Sequence, residues 1–281
     1  MVKKIFMTLI RNPLLFILPA AGIALNCISS LLLLPDIKKV AEISSGLLNF
    51  ESFEQSTYFQ NMPSMMAASQ KSSLLSLLYY IFLIVFIAGY GNMQAAVMNE
   101  GKALFRVFLF GIRKFAGKVI LSLLLLAVFA FGISIIITIA ALPVFIWNAL
   151  TDGFSYAFII GAFRQFQLIS LIIIILTYPL IMLWLPAIFV DREDGVIACF
   201  KSGVRAGARS YFLLLPAVTI LELPLLLLHI LSRDMFSIAA NPYYPLIFPY
   251  QMIVVPFIIT YLFYRYDQTK KGKIINEGTC P

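Results

Sequence analysis

The stretch Val119–Pro143, VILSLLLLAVFAFGISIIITIAALP, runs for 25 residues without a charged side chain. A helix rises 1.5 Å per residue, so about 20 such residues cross the roughly 30 Å hydrocarbon layer of a bilayer. Five more runs of comparable character flank it, at about Pro13–Leu34, Leu74–Ala96, Leu168–Val190, Tyr211–Leu231 and Phe248–Tyr264. None alternates with the period of a barrel strand, and only helices and closed barrels satisfy the backbone in lipid. The sequence therefore predicts an all-α fold, a polytopic membrane bundle of six transmembrane helices. It forms one integral domain over residues 1–281 with a short basic tail, 265–281. Composition agrees: 61% of residues are apolar and 12% charged, against about a quarter charged in soluble proteins.

Charge sets the expected orientation. With the N-terminus in the cytoplasm, the inner segments collect 16 of the 21 Lys and Arg residues. Lys38, Lys39, Lys71, Arg164 and Arg233 remain outside. Positive charge concentrates on the cytoplasmic side of membrane proteins, which predicts both termini inside, in the cell membrane of a prokaryote. The formal charge of +8 then reflects topology and attraction to anionic lipid headgroups, and no nucleic-acid partner is expected. Lys3 and Lys4 precede an apolar run too long for a signal peptide, so the first run is expected to stay as a span. Cys27, Cys199 and Cys280 would lie at different depths and build no disulfide framework.

The inner connections carry a shared pattern, Phe-x-x-x-[Ile/Val]-Arg. It occurs at Phe6–Arg11, Phe108–Arg113 and Phe200–Arg205, each copy shortly before an odd-numbered span. Each reads as a short helix with apolar and basic faces, making Arg11, Arg113, Arg205 and Arg209 the expected cytoplasmic interface. Glu100-Gly101 and Asp194-Gly195 stand upstream of the second and third copies. The placement predicts three tandem hairpin units, each preceded by a cytoplasmic interfacial helix. Outside, Pro35–Ser73 is expected to be a long connection with one or two surface helices, and Trp147–Gln167 and Ser232–Ile247 to be shorter loops.

Those six spans, the basic helices, and the stretch Pro186-Ala187-Ile188-Phe189-Val190-Asp191…Gly195…Phe200-Lys201-Ser202-Gly203…Phe212-Leu213-Leu214-Leu215 resemble a loose family of bacterial and archaeal membrane proteins. It includes the membrane domain attached to some glycerophosphodiester phosphodiesterases, and stand-alone relatives of unknown function. The resemblance implies the six-span fold. It implies no activity, because the phosphodiesterase chemistry of that family resides in a separate soluble domain that is not part of this sequence.

Enzyme signatures are missing. One histidine, His229, excludes a His-Glu-x-x-His zinc site, and neither a P-loop nor a Gly-x-Gly-x-x-Gly motif occurs. No Gly-x-Ser-x-Gly elbow is present either. A non-enzyme with no cofactor and no metal is expected. Asp191, Glu193 and Asp194 beside Arg192 read as a solvated turn that ends the fourth span.

One acidic group stands where charge is costly. Glu222 falls mid-way along the fifth span between Pro216 and Pro224, with His229 two turns on along roughly the same face. A charge at that depth costs about 2.5–3.5 kcal/mol on the insertion scale, so Glu222 should face the bundle interior or carry its proton. Glu222 and His229 are thus a candidate intramembrane proton or ligand site. The competing reading is a buried carboxyl bonded to Asn26, Ser29, Thr138 or Thr177.

Two function classes follow. One is an accessory or envelope-maintenance factor that binds lipid or a partner membrane protein. The other is a transporter, or the membrane subunit of an ABC-type system docked on a cytoplasmic ATPase. The spans carry few of the polar, Gly-broken segments typical of transporters, which favours the first.

Overall fold

The computed structural model describes residues 1–25, 27–28, 55–152, 156–191, 194–231 and 247–277. Every described element is helical. In chain order they are α1 (Val2–Arg11), α2 (Leu14–Leu25), α3 (Gln55–Glu100), α4 (Phe105–Asp152), α5 (Tyr156–Ile181), α6 (Trp184–Val190), α7 (Val196–Arg209), α8 (Tyr211–Leu231) and α9 (Ile247–Glu277). Four stretches are long and apolar enough to cross a membrane: Leu77–Glu100, Phe105–Trp147, Leu168–Val190 and Ile247–Lys271. Two bent pairs, α1–α2 at 84° and α7–α8 at 95°, raise the number to six if each pair is one span.

Several boundaries differ from the sequence reading. Helix α3 starts at Gln55, so the second half of the expected outer connection is already helical; residues 35–54 lie outside the described part. Helix α4 runs to Asp152 and α5 starts at Tyr156. The expected loop Trp147–Gln167 is therefore helix, apart from 153–155, which are not described. Most of Ser232–Ile247 also lies outside the described residues.

The fourth span is broken. A turn at Met182–Leu183 separates α5 from α6. Proline explains the position: Pro186 has no N–H to offer the Met182 carbonyl, and Pro179 sits one turn before the break. Helix α7 fills the notch through two glycines. A Cβ on Gly203 would lie 2.5 Å from the Trp184 Cα, and one on Gly207 would lie 2.4 Å from the Leu180 carbonyl oxygen. This is the small-xxx-small approach by which helices pack without a solvent-driven force between them.

The three signature segments are helical but joined differently. Arg11 ends α1 just before the first corner, and Arg205 lies inside α7, ahead of the corner at Ser210. Phe108–Arg113 is no separate interfacial helix: it is the first part of α4, which runs unbroken from Phe105 into the apolar stretch. The first corner is held by Asn12, whose Oδ1 accepts the Ala103 N–H at 2.7 Å. That side chain ties the α1–α2 corner to the short α3–α4 link, which opens with Gly101 at φ +76°.

Burial separates the helices into roles. Helix α3 is buried on all sides from Ala88 to Val97, whereas only 11% of the α4 span is covered. Along α4, Val128, Phe131 and Ile139 are each about two-thirds exposed, the surface expected of a helix whose neighbour is lipid. The main core gathers Phe115, Phe189, Leu214 and Phe263 from four helices, with Leu183 from the α5–α6 turn. Phe115 and Phe189 ring centroids stand 5.1 Å apart.

Candidate functional site

Helix α7 has two faces. Cys199, Gly203, Ala206 and Gly207 are buried, while Lys201, Arg205 and Arg209 recur every fourth residue on an exposed face. The C-terminal part of α9 runs alongside and contributes Tyr266, Thr269 and Lys270. Between the two helices lies a cleft of about 420 Å³, lined among others by Asp191, Lys201, Arg205, Arg209, Tyr266 and Lys270. Among the described residues Lys201, Arg205 and Arg209 make no ion pair.

Asp191 anchors the inner wall. Its side chain is 5% exposed and pairs with the Lys270 ammonium at 2.5 Å. The Tyr266 hydroxyl donates to the same carboxylate, and Ser202 donates at 3.3 Å. One carboxylate thereby links the end of α6, the middle of α7 and the end of α9. The expectation of a solvated turn at Asp191 is overturned. Burial with three donors is what a carboxylate needs to remain charged away from water, and Tyr266 and Lys270 lie far along the chain, beyond any local pattern. Asp194, by contrast, is exposed, and its backbone carbonyl accepts from Lys118 of α4 at 2.9 Å.

The corner between α7 and α8 closes one end of the cleft. Ser210 is buried; its hydroxyl accepts from the Arg265 Nε at 3.2 Å and meets Thr269 Oγ1 at 3.3 Å. Cys199 lies behind the cleft, fully buried, with its thiol against the Asp191 carbonyl at 3.6 Å. Burial pushes that thiol upward; Lys118 pulls the other way, and the Asp191 and Asp194 charges add to the rise. A thiol of this kind is a poor nucleophile. Cys199 should thus resist maleimide at neutral pH in the folded protein and react fully once detergent denaturation exposes it. Fast labelling of native protein would contradict the packing of α7.

A second polar cluster sits deeper. Gln94 of α3 is 1% exposed, and its Nε2 donates to the Tyr90 hydroxyl and to Thr260 of α9, both at 2.9 Å. The Tyr90 hydroxyl in turn donates to the Leu15 carbonyl of α2 at 2.7 Å. These bonds join α2, α3 and α9 through buried side chains, which makes the cluster a packing device.

The sequence-derived candidates divide. Arg205 and Arg209 meet in the cleft, together with Lys201 and Lys270. Arg11 and Arg113 are exposed on α1 and α4 and take no part in it. Glu222 is half-buried on α8. Thr138 and Thr177 bond to carbonyls of their own helices. Asn26, Ser29 and the side chain of His229 lie outside the described residues. The residues missed by sequence reading are Asp191, Ser202, Tyr266 and Lys270. A search of family models, of curated proteins and of solved structures found no match to this chain.

Proposed function

We propose that this chain is a non-enzymatic, multi-pass protein of a prokaryotic cell membrane, six spans long when each bent pair counts as one, with both termini cytoplasmic. In this reading it is an accessory or envelope-maintenance factor that engages lipid or a partner membrane protein through its basic end. The observation that carries the reading is the grouping of Lys201, Arg205, Arg209 and Lys270 at one cleft. The 16-to-5 division of basic residues in the six-span reading supports a cytoplasmic headgroup level for that cleft, where anionic lipids attract basic side chains by about 1 kcal/mol each. The bent pairs α1–α2 and α7–α8, which open the first and third expected units, support the tandem arrangement.

Thiol labelling tests the orientation. In a background with Cys27, Cys199 and Cys280 replaced by alanine, Ser69→Cys and Asn241→Cys should react with an impermeant reagent in intact cells. Lys271→Cys should react only after lysis. Labelling of Lys271→Cys in unbroken cells would overturn the orientation. Stoichiometric co-purification of a soluble ATPase would instead favour the transporter-subunit reading.

A further inference from the structure

We infer that the cleft between α7 and α9 is a binding site for a phosphate ester, either the headgroup of an acidic phospholipid or a small soluble organophosphate. The inference deepens the lipid-or-partner reading above and rests on it for the membrane setting.

The donor set points to an oxyanion with several acceptor atoms. Arg205 and Arg209 lie four residues apart on one helix face, so two planar guanidinium forks present themselves to the same space. Such forks match phosphate oxygens two at a time. Lys201 adds a third cation one turn earlier. None of the three has a carboxylate partner among the described residues, so their charge is not spent within the protein. The acidic residues of the cleft do not cancel it. Asp191 is already held by Lys270, Tyr266 and Ser202, and Asp194 is a single exposed charge at the rim. Counting Lys201, Arg205, Arg209 and Lys270 against Asp191 and Asp194, the described lining residues keep two net positive charges.

Shape selects further. A volume of about 420 Å³ falls within the range of small-molecule sites, about 300–1,000 Å³. It is several times the space a bare phosphate fills, so the phosphate should bring an organic substituent such as glycerol. The floor is rigid. Gly203 and Gly207 lock α7 onto the α5–α6 break, and the Asp191 bonds lock α9 to α7. The α7 backbone that carries the basic residues is therefore held in place before any ligand arrives, which limits the ordering cost of binding to their side chains.

The test uses the full-length protein in neutral detergent, with thermal unfolding followed at matched ionic strength. Probes are glycerol 3-phosphate, mixed micelles of phosphatidic acid, and phosphatidylcholine micelles with sodium sulfate as controls. Saturable stabilisation by phosphatidic acid alone supports the site and assigns it to a lipid headgroup. Saturable stabilisation by glycerol 3-phosphate supports it and assigns it to a soluble ester. In either case the exposed triple variant K201Q/R205Q/R209Q should bind at least tenfold more weakly while melting normally without ligand. R205K/R209K should recover part of the affinity. An absent response in the unmodified protein, an equal response to the controls, or a response that survives in the triple variant would each overturn the proposal. The orientation found by thiol labelling is independent of all three. A failed cleft would leave the membrane reading intact, and a failed orientation would leave the binding result standing.

Discussion

Replacing Gly207 by valine should abolish the native packing of α7, with a loss on the order of 3 kcal/mol. The Cβ alone would stand 2.4 Å from the Leu180 carbonyl oxygen and 2.7 Å from that of Pro179. Both obstacles are backbone, so no rotamer change can make room. Gly203→Val meets the backbone of Trp184 in the same way. Two other glycines predict the opposite sign. A Cβ on Gly117 or Gly132 of α4 would find nothing within 4 Å, so alanine at either should stabilise the helix by roughly 0.5–1 kcal/mol. Unfolding of each purified variant in a denaturing-detergent titration measures both signs. Gly207→Val melting with the parent protein would mean that α7 does not sit in the α5–α6 notch.

Asp191→Ala should be nearly as damaging, at about 2–4 kcal/mol. It deprives Tyr266, Ser202 and Lys270 of their common acceptor and leaves a buried gap. Lys270→Gln should cost only about 1 kcal/mol. The Lys270 side chain is 47% exposed and can be hydrated elsewhere, while Oδ2 keeps both hydroxyl donors and only Oδ1 loses its partner. Tyr266→Phe, which removes one buried donor, should fall between them. The order Asp191 over Tyr266 over Lys270 is the diagnostic result. Equal losses at Asp191 and Lys270 would show that the ion pair, and not the three-helix junction, is what matters.

Helical class and the positions of the long apolar runs were legible because lipid imposes a composition that needs no tertiary context. Val119–Pro143 could be read alone, and the structure places it in α4. What failed was everything set by contacts between distant segments. Asp191 looked solvated because its nearest neighbours in sequence are charged, yet its partners come from α7 and α9. The break at Met182–Leu183 had a local signal in Pro179 and Pro186, which an unbroken apolar run outweighed. Gly203 and Gly207 stood in plain view at helical spacing, but the basic signature around Arg205 drew the reading to the other face of the same helix. Arg205 and Arg209 were legible as interface residues from charge alone. Their meeting with Lys270 across a cleft was not, because it depends on the 95° corner at Ser210.

The enclosed segment of α3 has a consequence for how the protein is made. Ala88–Val97 contains Gly89, Gly91, Asn92 and Gln94, residues suited to touching other helices and poorly suited to hydrocarbon. Amide side chains such as Asn92 and Gln94 raise the free energy of entering the bilayer when their partners are missing. During synthesis α3 emerges before Thr260, the partner of Gln94 on α9, exists. Helix α4, which follows after a short link, offers the Val107 carbonyl as acceptor for the Asn92 Nδ2 at 2.8 Å and is apolar enough to insert unaided. Pairing with α4 should therefore hold α3 more firmly in place, and its final settling should await the last helix. Truncations that end before α9 should leave Gln94 seeking another partner, a state on which membrane quality control acts.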